Sequence, residues 1–578
     1  MRQADPPSSE RARATWPAWS PLVWVLCGVF LLHAIGIAWG LPAADGWDND
    51  GVAPRDFLVG IVRTFTPGDY YTYPPLHVLI LTILTSPLWI VGLLHARSLA
   101  PSNLVHEFLN VPYMTAFALI ARAVSVAMSL GVVYALAKVG EELRGRRAGV
   151  AVAVVVGMNA PFAYYAHTSN LEVPYCFWAA FALLHFVRAL AQRRPKELRW
   201  AGALAALSIA TKDQAAALFV LGFPLGMALW VAIDPWPRVN ARAVSKEAAG
   251  AAAWALGIVI ALDGAIVNPS GFRARLGFLF GSASQDYMMY AKTFAGRIHA
   301  LRDAVLSFTR FYPAPFALLA LWGVVVSARA GSRGQRAAAL APLFLAISFF
   351  ALFNWFTLRS DERFFLPQML LFGVYAGLGL DALLFETTRR VARAMQFAAI
   401  PVLAWGLFEC AAVDVALIDD ARYDAEAWLA GHVQPGDGLE VYGNQIYLPR
   451  LPANARIDRV DQKPLFERNP LLGATEIVGR FEDVEERRPR WIVVTDSQVG
   501  AYLDDPKLVE RAGRVLPPGQ MAAQRDAGAQ SYFRELLAGR RGYALAHVSE
   551  WKSTIWPRID FHGSTAQRVH ILEREASP

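Results

Sequence analysis

Along most of its length the chain returns again and again to runs of about twenty apolar residues, the length of helix that crosses a bilayer. They lie at Pro21–Leu41, Pro75–Ala96, Tyr113–Ala137, Gly149–His167, Val173–Leu190, Ala249–Val267, Phe311–Ser327, Ala338–Leu358, Phe364–Phe385 and Gln396–Ala416. Trp200–Ile233 is longer, and Thr211-Lys212-Asp213 divides it in two. In lipid each backbone polar group must be satisfied within its own segment, so such runs fold as helices. Composition agrees: 55% of the 578 residues are hydrophobic and 18% charged, against about 25% charged in soluble domains. The fold class expected is a polytopic α-helical membrane protein of about 11–13 transmembrane helices, followed by a soluble α/β domain. The boundaries expected are an arm at 1–20, a transmembrane domain at 21–416 with large loops at 43–74 and 268–312, and the α/β domain at 417–578. In that last part Asp424–Leu429 and Ser531–Leu537 read as helices. Gly438–Tyr442, Trp491–Thr495 and Arg568–Leu572 read as strands.

Charge distribution decides what the net +7 means. Residues 417–578 carry 21 basic and 24 acidic side chains of the chain's 55 and 48, so the positive excess lies in the apolar part. It is gathered into six clusters: Arg2/Arg11/Arg13, Lys138 with Arg144/Arg146/Arg147, Arg188 to Arg199, Arg238/Arg242/Lys246, Arg329/Arg333/Arg336 and Arg389/Arg390/Arg393. Basic loops alternating with apolar runs follow the positive-inside rule and exclude a nucleic-acid face. They place the N-terminus in the cytoplasm of a multi-pass inner (plasma) membrane protein. The loops at 43–74, 167–172, 268–312 and 359–363, the Lys212 turn and the C-terminal domain then lie outside, in the periplasm of a bacterium. The first apolar run is too long for a cleaved signal peptide. Pro75–Ala96 upsets the count, because a crossing there would put Arg144–Arg147 outside. Ser86-Pro87 sits at its middle, where a proline breaks a helix. A re-entrant or interfacial pair is therefore expected, leaving eleven crossings; the alternative is that it spans and a later segment does not. Cys27, Cys176 and Cys410 lie in apolar runs and read as buried free thiols.

No phosphate-binding loop, dinucleotide fingerprint, paired-cysteine metal motif or zincin helix occurs. The chemistry must come from polar groups beside the spans, where charge is costly and so marks function. The first loop is the densest, with Asp45, Asp48, Asp50 and Asp56 within twelve residues. Tyr70-Tyr-Thr-Tyr73-Pro-Pro-Leu-His77 follows. Further along the chain come Arg122-Ala-Val-Ser125, His167-Thr-Ser-Asn-Leu-Glu172-Val-Pro, Thr211-Lys212, Arg359-Ser-Asp-Glu362-Arg363-Phe-Phe-Leu-Pro367 and Tyr423-Asp-Ala-Glu-Ala-Trp-Leu429.

This ordered set, covering roughly residues 15–450, resembles the protein O-mannosyltransferase and aminoarabinose-transferase-like group of GT-C membrane glycosyltransferases. The resemblance implies the GT-C fold and an inverting transfer of a sugar from a polyprenyl-phosphate donor to a lipid, glycan or protein acceptor at the outer face. It implies a loop carboxylate as general base and cations against the departing phosphate. The family's Asp-Glu falls on Asp50 and Gly51, so Asp50 is the expected base, with Asp48 standing in two residues earlier. Arg359 and Arg363 are the first choice for the phosphate, since a guanidinium fits it bidentately, with Lys212 and Arg122 next. Tyr73, His77 and Glu172 are expected to bind substrate. Other readings of these groups are ion pairs of Arg359 and Arg363 with Asp361 and Glu362, a Lys212–Asp213 pair, and Glu172 as a helix-start carboxylate. No cofactor is called for. A divalent ion stays open at the carboxylates, as it does at His77, His106 and His167. Two other functions share these features: a flippase or transporter of lipid-linked glycans, and an O-antigen-type polymerase or ligase. A transporter would spread its charges along a mid-membrane path, whereas here they gather at one face.

Overall fold

The computed structural model describes residues 20–575 apart from 44–45, 49–50, 282–287, 330, 360, 387–388, 466–470, 505–513, 516–520, 522, 560, 562 and 566. Eight described helices are long and apolar enough to cross a membrane. A ninth arises if Arg146–Gly157 and Ala160–Ala166, bent by 73°, form one span, and Pro21–Ala34 and Ala314–Ala328 are shorter apolar helices. The chain is a multi-pass membrane protein. The bend falls at Asn159-Ala-Pro161: the Asn159 side chain accepts from Phe162 N–H at 2.8 Å and so starts a new helix, while Pro161 brings no donor to the turn. The divided run forms Glu197–Ile209 and Ala216–Ile233, as Thr211-Lys212-Asp213 predicts. The helices Ala314–Ala328 and Leu366–Phe385 touch backbone to backbone: a Cβ on Gly379 would lie 3.1 Å from Gly323 N. Small residues permit such approach in bundles. Of the three thiols, Cys176 and Cys410 are buried, but Cys27 is exposed on the outer surface of its helix.

Loops sort onto two faces. On one, the basic clusters bond across neighbouring helix ends: Arg188 to Glu142 at 2.8 Å, Arg193 to Asp234 at 3.2 Å, and Arg144 to Glu386. On the other lie the first loop, the 167–172 turn, the Lys212 turn and the 358–365 segment.

The segment Pro75–Ala96 departs from expectation in one respect. It is not broken at Pro87; Leu76–His95 is one continuous helix. Pro87 costs one backbone bond, while Thr82 and Thr85 donate back to Val78 and Leu81 carbonyls at 2.8 and 2.7 Å. Its contacts nonetheless place it along one face. Leu76 N–H donates to Ala210 C=O at 3.0 Å, beside the Lys212 turn. Thirteen residues on, Trp89 stacks on Phe117 at 4.5 Å. Phe117 stands in the first two turns of the 34-residue helix Val111–Arg144, where Thr115 accepts from Ala43 N–H of the first loop. Leu76 and Trp89 thus both pack near the face that carries the first loop.

The region expected to be a loop at 268–312 contains the helices Pro269–Phe280 and Phe294–Phe311. Beyond Ile418 the chain builds a six-stranded sheet of order β3-β2-β1-β4-β6-β5: β1 Gly438–Tyr442, β2 Arg456–Asp461, β3 Ala474–Val478, β4 Trp491–Thr495, β5 Tyr543–Ser549 and β6 Val569–Arg574. The first four are mutually parallel; β6 runs antiparallel to β4, and the edge strand β5, antiparallel to β6, returns to the direction of the first four. β1, β4 and β6 are legible as sequence. β2 is not, because its Arg459 is buried and answered across the pair by Glu476 of β3 at 2.9 Å.

The placement of Leu76–His95 predicts a labelling pattern. With Cys27 replaced by Ser, Cys introduced at Asp69 and at Arg97 should react with an impermeant maleimide from the same side of sealed vesicles. Reaction from opposite sides would mean that the helix crosses.

Candidate active site

The turn that follows the bent pair, Tyr165 to Glu172, gathers three of the sequence motifs. From the first loop comes Asp48. Its carboxylate accepts from Ser169 N–H at 2.5 Å, from Ser169 Oγ at 2.9 Å and from Asn170 Nδ2 at 2.8 Å. Val52 N–H donates to Ser169 C=O at 3.2 Å, and Ser169 Oγ also lies 3.2 Å from Val52 C=O. From the Lys212 turn comes the ammonium, which is bonded to Glu172 Oε1. From the late segment comes Glu362, which accepts from Tyr165 Oη at 3.2 Å. Glu172 is fully buried, and its Oε2 has no hydrogen-bond partner among the described residues.

The other expected residues fall into place around this turn. Arg122 is buried beneath the first loop, its Nη1 donating to Ile37 C=O and Trp39 C=O at 2.7 Å each. Its guanidinium holds loop backbone, which is a different task from gripping a phosphate. Arg359 and Arg363 share one aromatic ring: their Cζ atoms lie 5.5 and 4.6 Å from the centroid of Phe364. Such cation–π contact fixes a guanidinium's plane without spending all its donors. Tyr73 is exposed, and His77 is fully buried with neither ring nitrogen hydrogen-bonded among the described residues. Asp50, the expected base, lies outside the described residues, as does the side chain of His106. His167 serves the fold: Nδ1 is 2.7 Å from Ala163 C=O and Nε2 is 2.6 Å from Ile35 C=O. Burial pushes this imidazole down to about 4, against the raising effect of those two carbonyls. Among the described residues no group of three or more His, Cys, Asp or Glu is placed to hold a metal ion.

Lys212 and Asp213, neighbours in sequence, take different partners. Asp213 is bound at both oxygens by Arg275 Nη1, at 2.8 and 2.9 Å, and Arg275 Nη2 reaches Asp263 at 2.9 Å. Burial pushes the Asp263 carboxyl up to about 6, with Arg275 pulling it back. This cluster fastens the helix Pro269–Phe280 to the Lys212 turn. Sequence reasoning missed Arg275, which lies in a stretch expected to be loop.

The departure at Gly51 has a steric cause. A side chain at Gly51 would collide with the Asp48 carboxylate and lie 2.6 Å from Ser169 Oγ. The carboxylate of residue 48 fills the space where a side chain of residue 51 would begin. Gly51→Ala should therefore lower stability by about 1–3 kcal/mol, the usual cost of overpacking, read as a fall in Tm in detergent. An unchanged Tm would show that Asp48 can leave the turn without cost.

The first loop is also the socket of the C-terminal region. Trp39 Nε1 donates to Asp420 at 3.0 Å, and Arg422 is paired with Asp420 at 2.7 Å and lies 3.9 Å over the Trp47 ring. Arg450 Nη1 donates to Leu41 C=O at 2.7 Å.

No protein-family model and no curated protein matches the chain. Among solved structures it is similar to the crystal structure of ArnT from Cupriavidus metallidurans bound to undecaprenyl phosphate, at 14% identity over 95% of this chain and 97% of that one, with a TM-score of 0.48. It is also similar to the oligosaccharyltransferase AglB from Archaeoglobus fulgidus in complex with an inhibitory peptide and a dolichol-phosphate (12% identity, 96% of this chain, 88% of that one, TM-score 0.41). A third is the arabinofuranosyltransferase AftD from Mycobacteria (14% identity, 96% of this chain, 41% of that one, TM-score 0.38).

Proposed function

We propose that this chain is a membrane glycosyltransferase that takes a sugar from a polyprenyl-phosphate donor and passes it to a hydroxyl acceptor. The face that carries the first loop is its outer, periplasmic face, and the basic clusters are cytoplasmic. One observation carries the reading: acidic and basic groups from three distant motifs meet at the Tyr165–Glu172 turn, on one face of the bundle. Asp48 and Arg122 hold the first loop, and residues on either side of Asp50 are bonded to Ser169. Asp50 is the general base. It takes the acceptor's proton as the acceptor oxygen forms its bond to the anomeric carbon and the bond to the carrier phosphate breaks. Arg359 and Arg363 meet the charge gained by that phosphate, with Lys212 behind them. Glu172, whose Oε1 is held by Lys212, presents Oε2 to a hydroxyl of sugar or acceptor. Tyr73 and His77 line the approach.

Two substitutions test the roles, with transfer from a radiolabelled polyprenyl-phosphate sugar as the measurement. Asp50→Asn keeps shape but cannot accept the proton, so turnover should fall by about 10²–10⁴-fold with carrier binding retained. Near-normal turnover would remove Asp50 as base. Arg363→Lys keeps charge but loses the fork, and a transition-state donor lost in this way costs about 2.7–4 kcal/mol. If Lys at 363 supports full activity, the arginine serves only local structure.

A further inference from the structure

The connection between β5 and β6 does something a surface loop seldom does: it runs back down the bundle. The helix Arg389–Ile418 leads out of the bundle into the sheet region. Phe408 lies ten residues before its end, which is about 15 Å down the helix axis at 1.5 Å per residue. Trp556 stacks on Phe408 at 4.9 Å with the rings 13° from parallel. Around Phe408 the same helix exposes Ile400, Trp405 and Leu407, the surface that a membrane helix turns to lipid. Ile555, beside Trp556, is 77% exposed. The tip closes on itself: Trp556 N–H donates to Ser553 Oγ at 3.0 Å and Trp551 Nε1 reaches Trp556 C=O at 3.4 Å. Five residues past Trp556, Phe561 stacks on Tyr164 at 4.8 Å, so the connection is fixed to the bundle a second time.

We propose that Trp551–Pro557 enters the bilayer and anchors the C-terminal sheet to lipid. An isoleucine this exposed in water would be a cost without return, whereas continuity with the apolar surface of Arg389–Ile418 gives it a solvent. Tryptophans concentrate at the boundary between headgroups and acyl chains because an apolar ring and an N–H are both served there. Lys552 and Arg558 flank the tip, and Lys552 turns back to Asp424 at 3.5 Å, tying the tip to the first helix of the sheet region. The partner is the outer leaflet, and the inference rests on the bundle being a membrane domain, independent of which reaction it performs.

The test uses the full-length chain with Cys27→Ser, since Cys176 and Cys410 are buried. A nitrobenzoxadiazole probe is attached at Ile555→Cys, at Thr554→Cys or, as a control on the sheet region, at Arg534→Cys. In nanodiscs of phosphatidylethanolamine and phosphatidylglycerol, nitroxide-bearing lipid should quench the 555 and 554 probes about threefold more than the 534 probe. Aqueous iodide should show the reverse order. Two results overturn the proposal: iodide reaching the 555 and 554 probes as readily as the 534 probe, or neither quencher reaching them. The second would mean that another protein or a second copy covers the tip.

Discussion

The carboxylate of Asp48 holds the rest of the site in place. It sits under the 168–170 turn and accepts three hydrogen bonds, two from one residue's backbone and side chain. Bonds to a charged acceptor are stronger than neutral ones, and these join the first loop to the start of the helix that bears Glu172. Once that join exists, Glu172 is presented to Lys212 and Tyr165 to Glu362. Arg122 secures the other side of the loop through two backbone carbonyls. Polar groups that pass as an ordinary solvated loop in sequence are therefore spent mostly on positioning.

Charge at this face is arranged in interlocking pairs. Lys212 answers Glu172, Asp213 answers Arg275, and Arg275 reaches on to Asp263. A buried pair that loses one member leaves an uncompensated charge, at a cost of about 3–5 kcal/mol. The turn at 211–213 is held from two directions by neighbouring residues of opposite sign. That keeps its two ions from neutralising each other and fixes the Lys212 ammonium toward the Glu172 turn.

Much of this was legible in the residues. Apolar runs of bilayer length, separated by basic clusters, give the bundle and its two faces because length and charge are one-dimensional properties. Thr211-Lys212-Asp213 was visible as a break, and the strands β1, β4 and β6 as apolar runs bounded by turns. Pairing was not legible. Nothing local says that Asp48 belongs to Ser169 or that Lys212 prefers Glu172 to its own neighbour, since those choices are made by helix packing. Arg122 looked like a phosphate ligand because a lone arginine in a span is costly; backbone carbonyls of the first loop meet that cost. The charged strand β2 escaped because its buried Arg459 is compensated only across the sheet. Pro87 misled in the other direction: a proline predicts a break, yet Leu76–His95 runs through it as one helix.

The first loop takes partners from the C-terminal part of the chain, and that has a consequence for biosynthesis. Trp39 waits for Asp420, 381 residues later, and Leu41 for Arg450, 409 residues later. The first helix enters the membrane early in translation, but its loop gains those contacts only after residues 420 and 450 of the 578 have been made. A truncated or stalled product keeps an apolar bundle without a finished loop. The loop is thus completed only after synthesis has passed the last span.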